Sequence, residues 1–229
     1  MDKLVIVGIS TTAETIYHFV CYYKLFDVIG FAVNKEYIHS ESFLGKPIYA
    51  LEELGDIIDI KNDYVFVSMQ WNRLNADRRK VYESLKEKGF RFANIISPKA
   101  HVFGSLQGEN CWIADLVCIE YNVTIGNNVF VKGSAFIGTH AVISDHCFIG
   151  AHSTIGGAVH IGEQSFVGMA AVVFDDVKVG KKCIVGASTA LKRNLPDFSV
   201  YKSSINTYIE KNYKEDEIES KLMFNKNVR

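Results

Sequence analysis

The sequence predicts an α/β, Rossmann-like N-terminal domain followed by a left-handed parallel β-helix. From Ile113 to Leu191, every sixth residue is Ile, Val or Leu, glycine often follows it, and the fifth place of each hexad is small. This hexapeptide pattern is typical of a β-helix in which each hexad forms one side of a triangular coil. Ahead of the repeat, short apolar runs alternate with helical patterns, which indicates a parallel sheet.

The N-terminal part contains three β-rich runs and two helical stretches. The runs are KLVIVGI (3–9), DVIGFAVN (27–34) and DYVFVSM (63–69), and the helical stretches are TIYHFVCYYKLF (15–26) and NRLNADRRKVYESLKEKG (72–89). Gly89 is a typical stop signal for the second helix. We expect an α/β domain over 1–97, the β-helix over 98–195, and a tail over 196–229 that is partly helical.

Ligands of parallel α/β sheets settle at the carboxyl ends of the strands. The residues at these ends are the candidate substrate-binding residues: Gly8, Ser10, Thr11, Thr12, Asn34, Gln70, Trp71, Asn72 and Arg73. The turn GISTTAE lacks the GxGxxG fingerprint, which argues against a hydride-transferring dehydrogenase. The three hydroxyls at a helix start suit phosphate oxygens as well as they suit a simple N-cap. Asn72 is equally a candidate cap for the following helix, and Trp71 a candidate for base stacking.

Composition restricts the partners and the compartment. The net charge of −1 and the pI of about 6.7 give no reason to expect nucleic acid or an anionic membrane as partner. No apolar stretch is long enough to span a bilayer, so we expect a cytoplasmic protein. The five cysteines form no CxxC pair. Three of them occupy the small, inward place of a hexad, which predicts buried packing residues: Cys111, Cys147 and Cys183.

Three histidines recur at intervals of six: His140, His146 and His152. Each takes the fourth place of its hexad, which we interpret as an outward position. Consecutive hexads lie on different sides of the prism, so the three side chains cannot converge within one chain. Residues 18 apart lie one coil above one another, which places Gly157 over Thr139 and beside His140. This suggests His140 as a base and the Gly157 N–H as a donor to an oxyanion.

The segments DHCFIGAHSTIGGAVHIGEQSFVGMAAVV and KKCIVGASTALK, with the α/β unit ahead of them, resemble the bacterial sialic-acid O-acetyltransferases and nucleotide-amino-sugar N-acetyltransferases. The resemblance covers roughly residues 1–195. It implies a homotrimer, acetyl-CoA as co-substrate in the groove between neighbouring β-helices, and a nucleotide-linked sugar held by the α/β domain.

The resemblance also bears on the base. Many members carry a histidine followed by an acidic residue at the third and fourth places of one hexad, which here fall on Thr139 and His140. One hexad later the order is Asp145-His146, the reverse of the family's. We therefore favour His140 as the base, keep His146 as the alternative, and expect His152 to contact the acetyl group or the sugar. Some relatives are thought to work without a base.

The cofactor residues are likewise implied by the resemblance. Relatives hold the far end of CoA near the last coils, which makes the following residues candidates here: His152, Gly168, Gly186, Ala187, Lys192 and Arg193. For Lys192 and Arg193 a solvated charge cluster is the alternative. The common Gly-x-Pro-Ala-Lys ending is replaced by YKSSIN.

The function that these features predict is acetyl-CoA-dependent N-acetylation of a nucleotide-linked sugar of the 4-amino-4,6-dideoxy type, in surface glycan synthesis. O-acetylation of a sugar is the close alternative. A zinc protein like the γ-type carbonic anhydrases is a more distant one, although the six-residue spacing of the histidines argues against a metal site. A non-catalytic nucleotide-binding scaffold is the third.

Overall fold

The computed structural model describes residues 1–203. Its N-terminal part alternates strands and helices as predicted. The elements in chain order are β1 (Lys3–Val7), α1 (Thr11–Tyr23), β2 (Asp27–Val33), a 3₁₀ turn (Lys35–Tyr37), β3 (Ser42–Phe43), β4 (Lys46–Ala50), α2 (Leu54–Ile57), β5 (Tyr64–Val67), α3 (Ala76–Glu87) and β6 (Arg91–Phe92).

These strands form one six-stranded sheet in the order β3-β4-β2-β1-β5-β6. All neighbouring pairs are parallel except β3 with β4. The central strands are buried on both faces, which explains why they read as continuous apolar runs. Because β2, β1 and β5 are parallel neighbours, their carboxyl ends meet at one edge of the sheet.

The remainder of the described chain consists of two-residue strands separated by turns. They are β7 (Ile95–Ile96), β8 (His101–Val102), β9 (Ser105–Leu106), β10 (Trp112–Ile113), β11 (Cys118–Ile119), β12 (Thr124–Ile125), β13 (Phe130–Val131), β14 (Phe136–Ile137), β15 (Val142–Ile143), β16 (Phe148–Ile149), β17 (Thr154–Ile155), β18 (His160–Ile161), β19 (Phe166–Val167), β20 (Val172–Val173), β21 (Lys178–Val179), β22 (Ile184–Val185), β23 (Ala190–Leu191) and β24 (Val200–Tyr201).

Every third strand pairs in parallel as far as β23, and β24 pairs with β22, so the strands make three sheets. We name them face 1 (β7, β10, β13, β16, β19, β22, β24), face 2 (β8, β11, β14, β17, β20, β23) and face 3 (β9, β12, β15, β18, β21). Pairs such as Ile137 with Ile155 confirm the 18-residue coil. The turns between faces are named corner 1–2, corner 2–3 and corner 3–1. This arrangement, with its hexapeptide repeat, fits a left-handed β-helix.

The aliphatic residues of the hexads fill the interior of the β-helix, as the repeat predicts. Cys111, Cys147 and Cys183 are fully buried among them, which confirms their packing role. Burial raises the pKa of the Cys111 and Cys147 thiols to about 12, so both remain protonated at neutral pH.

Face 1 is covered by the α/β sheet of the same chain. One apolar cluster joins the two parts. Phe66 stacks on Phe130 with 5.7 Å between the ring centroids, and Phe19 meets Trp112 edge-on with 6.1 Å between the centroids. The two parts therefore share a core along this face.

Arg78 of α3 is completely buried at this seam. Its guanidinium lies 4.0 Å from the Phe130 ring centroid and donates to the carbonyl oxygens of Asn128 and Cys147, each at 3.2 Å. Burial lowers its pKa to about 9, which leaves it charged at neutral pH.

The boundaries of some elements differ from the prediction. Helix α1 begins at Thr11, and α3 begins at Ala76 because the residues ahead of it have a left-handed backbone. Gly89 follows the end of α3, the second helix that the sequence predicted, and has φ +83°, as expected of a stop signal. Strands of the β-helix run from Ile95 to Tyr201, which is wider than the expected 98–195. The predicted helix in the tail lies outside the described residues. None of the helices within 1–203 is long and apolar enough to cross a membrane.

Candidate active site

The fourth place of each hexad has a left-handed backbone. The φ angles of His140, His146 and His152 are 63°, 62° and 57°. Asn, Asp and His are enriched in this conformation among residues other than glycine. The fold therefore explains in part why histidine recurs every six residues, and the neighbours of each ring decide what it does.

The expectation that all three histidines face outward is wrong for His146. This side chain lies at corner 3–1 beneath α3 and is only 4% exposed. Its ring meets the Tyr82 ring edge-on at 5.7 Å, and its Nε2 lies 3.8 Å from Glu83 Oε1. Because α3 of its own chain covers it, a substrate does not reach it, and we do not retain it as the base.

A ladder of buried polar side chains fixes the tautomer of His146. Asn128 Oδ1 accepts hydrogen bonds from Arg78 Nε at 3.0 Å and from Asn110 Nδ2 at 2.8 Å. The amide Nδ2 of Asn128 is then the donor to His146 Nδ1, at 3.0 Å, so the neutral ring carries its proton on Nε2. Burial, assisted by Arg79, lowers the pKa of His146 and favours this neutral form.

His140 and His152 are exposed, as predicted, and lie at different corners. His140 is at corner 2–3, where its ring meets the Tyr121 ring edge-on at 5.9 Å. His152 is at corner 1–2, and its ring has no partner among residues 1–203. The three histidines thus do not converge within one chain.

Gly157 lies one coil above Thr139 at corner 2–3, as the 18-residue period predicts. The backbone N–H of the following residue, Ala158, donates to the Thr139 carbonyl oxygen at 2.8 Å. The Gly157 N–H, the predicted oxyanion donor, donates to Asp175 Oδ1 at 2.6 Å in this structure. The N–H of Thr139 has no acceptor among the described residues, since Gly157 above it has no side chain.

The β-helix does not require glycine at position 157. A Cβ there would lie 3.4 Å from the Thr139 carbonyl oxygen and 3.6 Å from both Thr139 Oγ1 and Asp175 Oδ1, which are ordinary contacts. At Gly150, by contrast, a Cβ would lie 2.6 Å from backbone atoms of the next coil. Glycine at 157 thus leaves a gap between two polar groups that an alanine methyl would occupy.

The predicted cofactor residues divide between two corners. Gly168, Gly186 and Ala187 lie at corner 1–2 with His152, whereas Lys192 and Arg193 lie at corner 2–3 above His140 and Gly157. Lys192 Nζ is 5.0 Å from the Phe174 ring centroid. The fold itself requires glycine at position 168, because a Cβ there would overlap the Ala187 amide of the next coil. Within one chain these residues do not line a single groove.

The strand ends of the α/β sheet bring several predicted substrate residues to one edge. Gly8, Asn34 and Gln70 follow the neighbouring strands β1, β2 and β5. Gly8 has φ +122°, and a Cβ there would lie 2.7 Å from Ser68 Oγ, so only glycine fits.

The hydroxyls at the start of α1 do not all reach this edge. Ser10 is the N-cap residue, yet its side chain makes no capping hydrogen bond. Ser10 and Thr11 are exposed, which leaves both hydroxyls accessible. Thr12 is buried, so its hydroxyl is not accessible from solvent, and a contact of this residue with a ligand stays a prediction.

The loop after β5 departs from the prediction. Asn72 does not cap α3, because Asn75 holds the N-cap position. Arg73, Leu74 and Asn75 all have φ between 48° and 64°, a strained run for residues other than glycine. Arg73 forms an ion pair with Asp77 of α3.

This loop also carries Trp71, whose exposed ring packs edge-on against Phe148 of the β-helix at 5.0 Å. The Oδ1 atom of Asn75 is buried without a hydrogen-bond partner in residues 1–203.

Sequence reasoning missed Asp175, Phe148 and Arg78. The 18-residue period, applied once more, places Asp175 directly above Gly157, so a signal for it existed. Phe148 and Arg78 had no such signal, because their roles depend on how α3 and β5 pack on face 1. No group of three His, Cys, Asp or Glu side chains within residues 1–203 converges as metal ligands do.

Comparisons with known proteins support the fold described above. A family model described as the hexapeptide repeat of succinyl-transferase matches residues 140–174 and 158–193. The sequence has no significant match among curated proteins. The perosamine N-acetyltransferase of Caulobacter crescentus, solved with CoA and GDP-perosamine, is 26% identical with a TM-score of 0.76, over 87% of this chain and 93% of that one.

Two further structures extend the comparison. A variant of the same Caulobacter crescentus enzyme, with one histidine replaced by asparagine, has 25% identity and a TM-score of 0.77 over 87% of this chain and 93% of that one. The acetyltransferase domain of PglB from Neisseria gonorrhoeae FA1090 shares the fold at 19% identity, with a TM-score of 0.77 over 87% of this chain and 96% of that one.

The chain is therefore a hexapeptide-repeat protein with an α/β domain packed on one face of its β-helix. Its architecture is similar to that of a known nucleotide-amino-sugar acetyltransferase, which confirms the resemblance predicted from the sequence.

Proposed function

We propose that this chain is an acetyl-CoA-dependent N-acetyltransferase that acts on the amino group of a nucleotide-linked 4-amino-4,6-dideoxy sugar. The observation that carries the proposal is the likeness, over 87% of the chain, to an enzyme solved with both CoA and GDP-perosamine. CoA and a nucleotide amino sugar are the two reactants that the proposed reaction needs.

The α/β domain, which we propose is Rossmann-like and spans about 1–97, holds the nucleotide. Its candidate contacts are the exposed residues at the carboxyl edge of the sheet, with Ser10 and Thr11 suited to phosphate oxygens and Trp71 to the base. The β-helix, proposed over 98–195, positions the acetyl group. The shared core of face 1 holds the two domains of the chain together.

We propose that active sites form between chains of a homotrimer. Corner 1–2 and corner 2–3 flank face 2, and both carry large exposed apolar side chains: Leu116 and Met169 on the first, Tyr121 and Phe174 on the second. The outward residues of face 2 from β11 onward are uncharged: Cys118, Phe136, Thr154, Val172 and Ala190. A cyclic trimer sets two different patches against each other, so corner 2–3 of one chain meets corner 1–2 of the next. This joins the two halves of the predicted CoA site in one cleft.

In the proposed reaction His140 is the base. Its neutral imidazole takes a proton from the sugar ammonium, and the amine then attacks the thioester carbonyl. The Thr139 N–H has no acceptor among the described residues, so it can donate to the thioester carbonyl oxygen without rearrangement. The Gly157 N–H must first give up its hydrogen bond to Asp175. We therefore propose that the Thr139 N–H donates to the oxyanion. Gly157, which has no side chain, leaves the space above Thr139 in which the oxyanion forms.

A thiol-release assay tests the function. Acetyl-CoA is mixed with UDP-, dTDP- and GDP-linked 4-amino sugars, and free CoA thiol is followed while mass spectrometry identifies the acetylated sugar. We expect release that depends on one of these sugars. No release with any of them contradicts the proposal.

Subunit mixing tests the site between chains. His140→Ala removes a side chain of corner 2–3, and His152→Ala removes one of corner 1–2. Each mixed trimer of the two variants has one cleft with both histidines, so mixing after mild dissociation restores part of the activity. Mixed samples no more active than the separate variants contradict a shared cleft.

A further inference from the structure

Asp175 stands at corner 2–3, one coil above Gly157. Its Oδ1 accepts the Gly157 N–H at 2.6 Å, and the residue is exposed. Its Oδ2 has no hydrogen-bond or ion-pair partner among residues 1–203. The carboxylate therefore uses one oxygen on the backbone and presents the other to its surroundings.

Other aspartates of the β-helix cap an amide in the same manner, but each also satisfies its second oxygen. Asp145 accepts Asn127 N on Oδ1 at 2.8 Å and Asn127 Nδ2 on Oδ2 at 3.1 Å. Asp197 accepts Lys181 N on Oδ1 at 2.9 Å, and its Oδ2 lies 3.8 Å from Lys181 Nζ. Neighbouring groups thus engage both carboxylate oxygens at those two positions, but only one oxygen at Asp175.

The Asp175 carboxylate borders the gap that Gly157 leaves through Oδ1, the oxygen that also accepts the Gly157 N–H. Asp175 Oδ1 and Thr139 Oγ1 both lie 3.6 Å from the point that a Gly157 Cβ would occupy. The space between them therefore admits a group about the size of a methyl or an ammonium. His140, the proposed base, directly follows Thr139 in the chain.

We propose that Asp175 binds the ammonium form of the sugar's amino group and thereby selects amine acceptors over hydroxyl acceptors. This inference rests on the proposed function. A sugar amine is largely protonated near neutral pH, so the group that first enters the cleft is a cation. A carboxylate with a spare oxygen pairs with it more strongly than with a neutral hydroxyl.

The pairing is compatible with the chemistry of transfer. One proton passes from the ammonium to His140, and the nitrogen lone pair forms the C–N bond to the thioester carbon. As the C–S bond breaks, the His140 imidazolium protonates the departing CoA thiolate to the thiol, and the nitrogen releases its second proton to solvent. Asp175 keeps its charge throughout and holds the nitrogen over the carbonyl carbon.

Calorimetric binding of two ligands to the full chain provides the test. The ligands are GDP-perosamine and its 4-hydroxy counterpart, each titrated into wild type, Asp175→Asn and Asp176→Asn. The side-chain amide oxygen of the Asp175→Asn variant can still accept the Gly157 N–H, so the capping bond is kept while the charge is removed. Asp176 is the matched control, because it is exposed and its side chain has no hydrogen bond or ion pair with a described residue.

We expect wild type and Asp176→Asn to prefer the amino sugar by about tenfold or more, and Asp175→Asn to lose that preference. The kcat/KM for the amino sugar is expected to fall by a similar factor in Asp175→Asn, with an unchanged KM for acetyl-CoA. A preference retained in Asp175→Asn, lost equally in both variants, or absent from wild type overturns the inference.

The two proposals fail in different ways. If no variant and no nucleotide sugar gives thiol release, the acetyltransferase function itself is wrong. If wild type transfers acetyl groups and Asp175→Asn does so with undiminished kcat/KM, only the role of Asp175 is wrong.

Discussion

Replacing Gly157 with alanine separates the needs of the fold from those of the reaction. The added methyl makes only ordinary contacts of 3.4–3.6 Å with Thr139 and Asp175, and φ at Gly157 lies outside the left-handed region. The free energy of unfolding should therefore change by less than about 1 kcal/mol. For a chain of this size we expect a Tm within about 4 °C of wild type.

The same methyl occupies the gap in which the proposed reaction takes place. A displacement of the reacting groups by about 1 Å is enough to lower a rate about 100-fold. We thus expect Gly157→Ala to be folded and to release CoA thiol at least about 100 times more slowly than wild type.

Gly150→Ala is the matched control. It adds the same methyl to another corner of the β-helix, where the Cβ lies 2.6 Å from the backbone of the next coil. Overpacking of this kind costs about 1–3 kcal/mol, so its Tm should fall by about 3–10 °C. Wild-type turnover in Gly157→Ala refutes the argument about the gap, and a large loss of Tm in that variant refutes the argument about the fold.

Three further predictions concern other parts of the molecule. Arg78→Ala leaves the buried Asn128 carbonyl oxygen without a donor and opens a cavity beside Phe130, and it should lower the free energy of unfolding by about 3–5 kcal/mol in urea titrations; a change below about 1 kcal/mol contradicts its role at the seam. His140→Ala should reduce kcat about 100-fold or more, whereas His146→Gln should mainly lower Tm. A large loss of kcat in His146→Gln, with kcat unchanged in His140→Ala, would make His146 the base. Trp71→Ala should weaken nucleotide binding by about 1–3 kcal/mol in calorimetry, and equal affinity excludes base stacking.

The lowered pKa of His146 makes stability depend on pH. The unfolded chain takes up a proton near pH 6.5, and the folded chain does so only at lower pH, because burial disfavours the charged ring. The unfolded state therefore binds more protons below about pH 6.5, and stability falls as the pH decreases from 7 toward 5. His146→Gln should show a smaller fall in Tm over this range, and an identical pH profile for both proteins contradicts a buried neutral histidine.

The sequence was informative where the structure is periodic. Six-residue spacing predicted the inward aliphatic residues, the buried cysteines and the position of Gly157 over Thr139, because each depends only on counting along a coil. It could not predict that His146 is buried, because that depends on where α3 crosses corner 3–1. The start of α3 was placed too early for a similar reason, since the left-handed backbone of 73–75 is not visible in a helical pattern.

Identical places in the repeat acquire different roles from what packs against them. The left-handed fourth place admits histidine at each corner, and the α/β domain covers only one of the three histidines. At the covered corner, His146 joins Asn110 and Asn128 in a buried ladder that binds the backbone of β5 through Val67 N, at 2.7 Å. The ladder holds the strand that leads to Trp71 against the β-helix. The buried histidine thus has a structural role beside the proposed nucleotide edge, while exposed His140 is the proposed base.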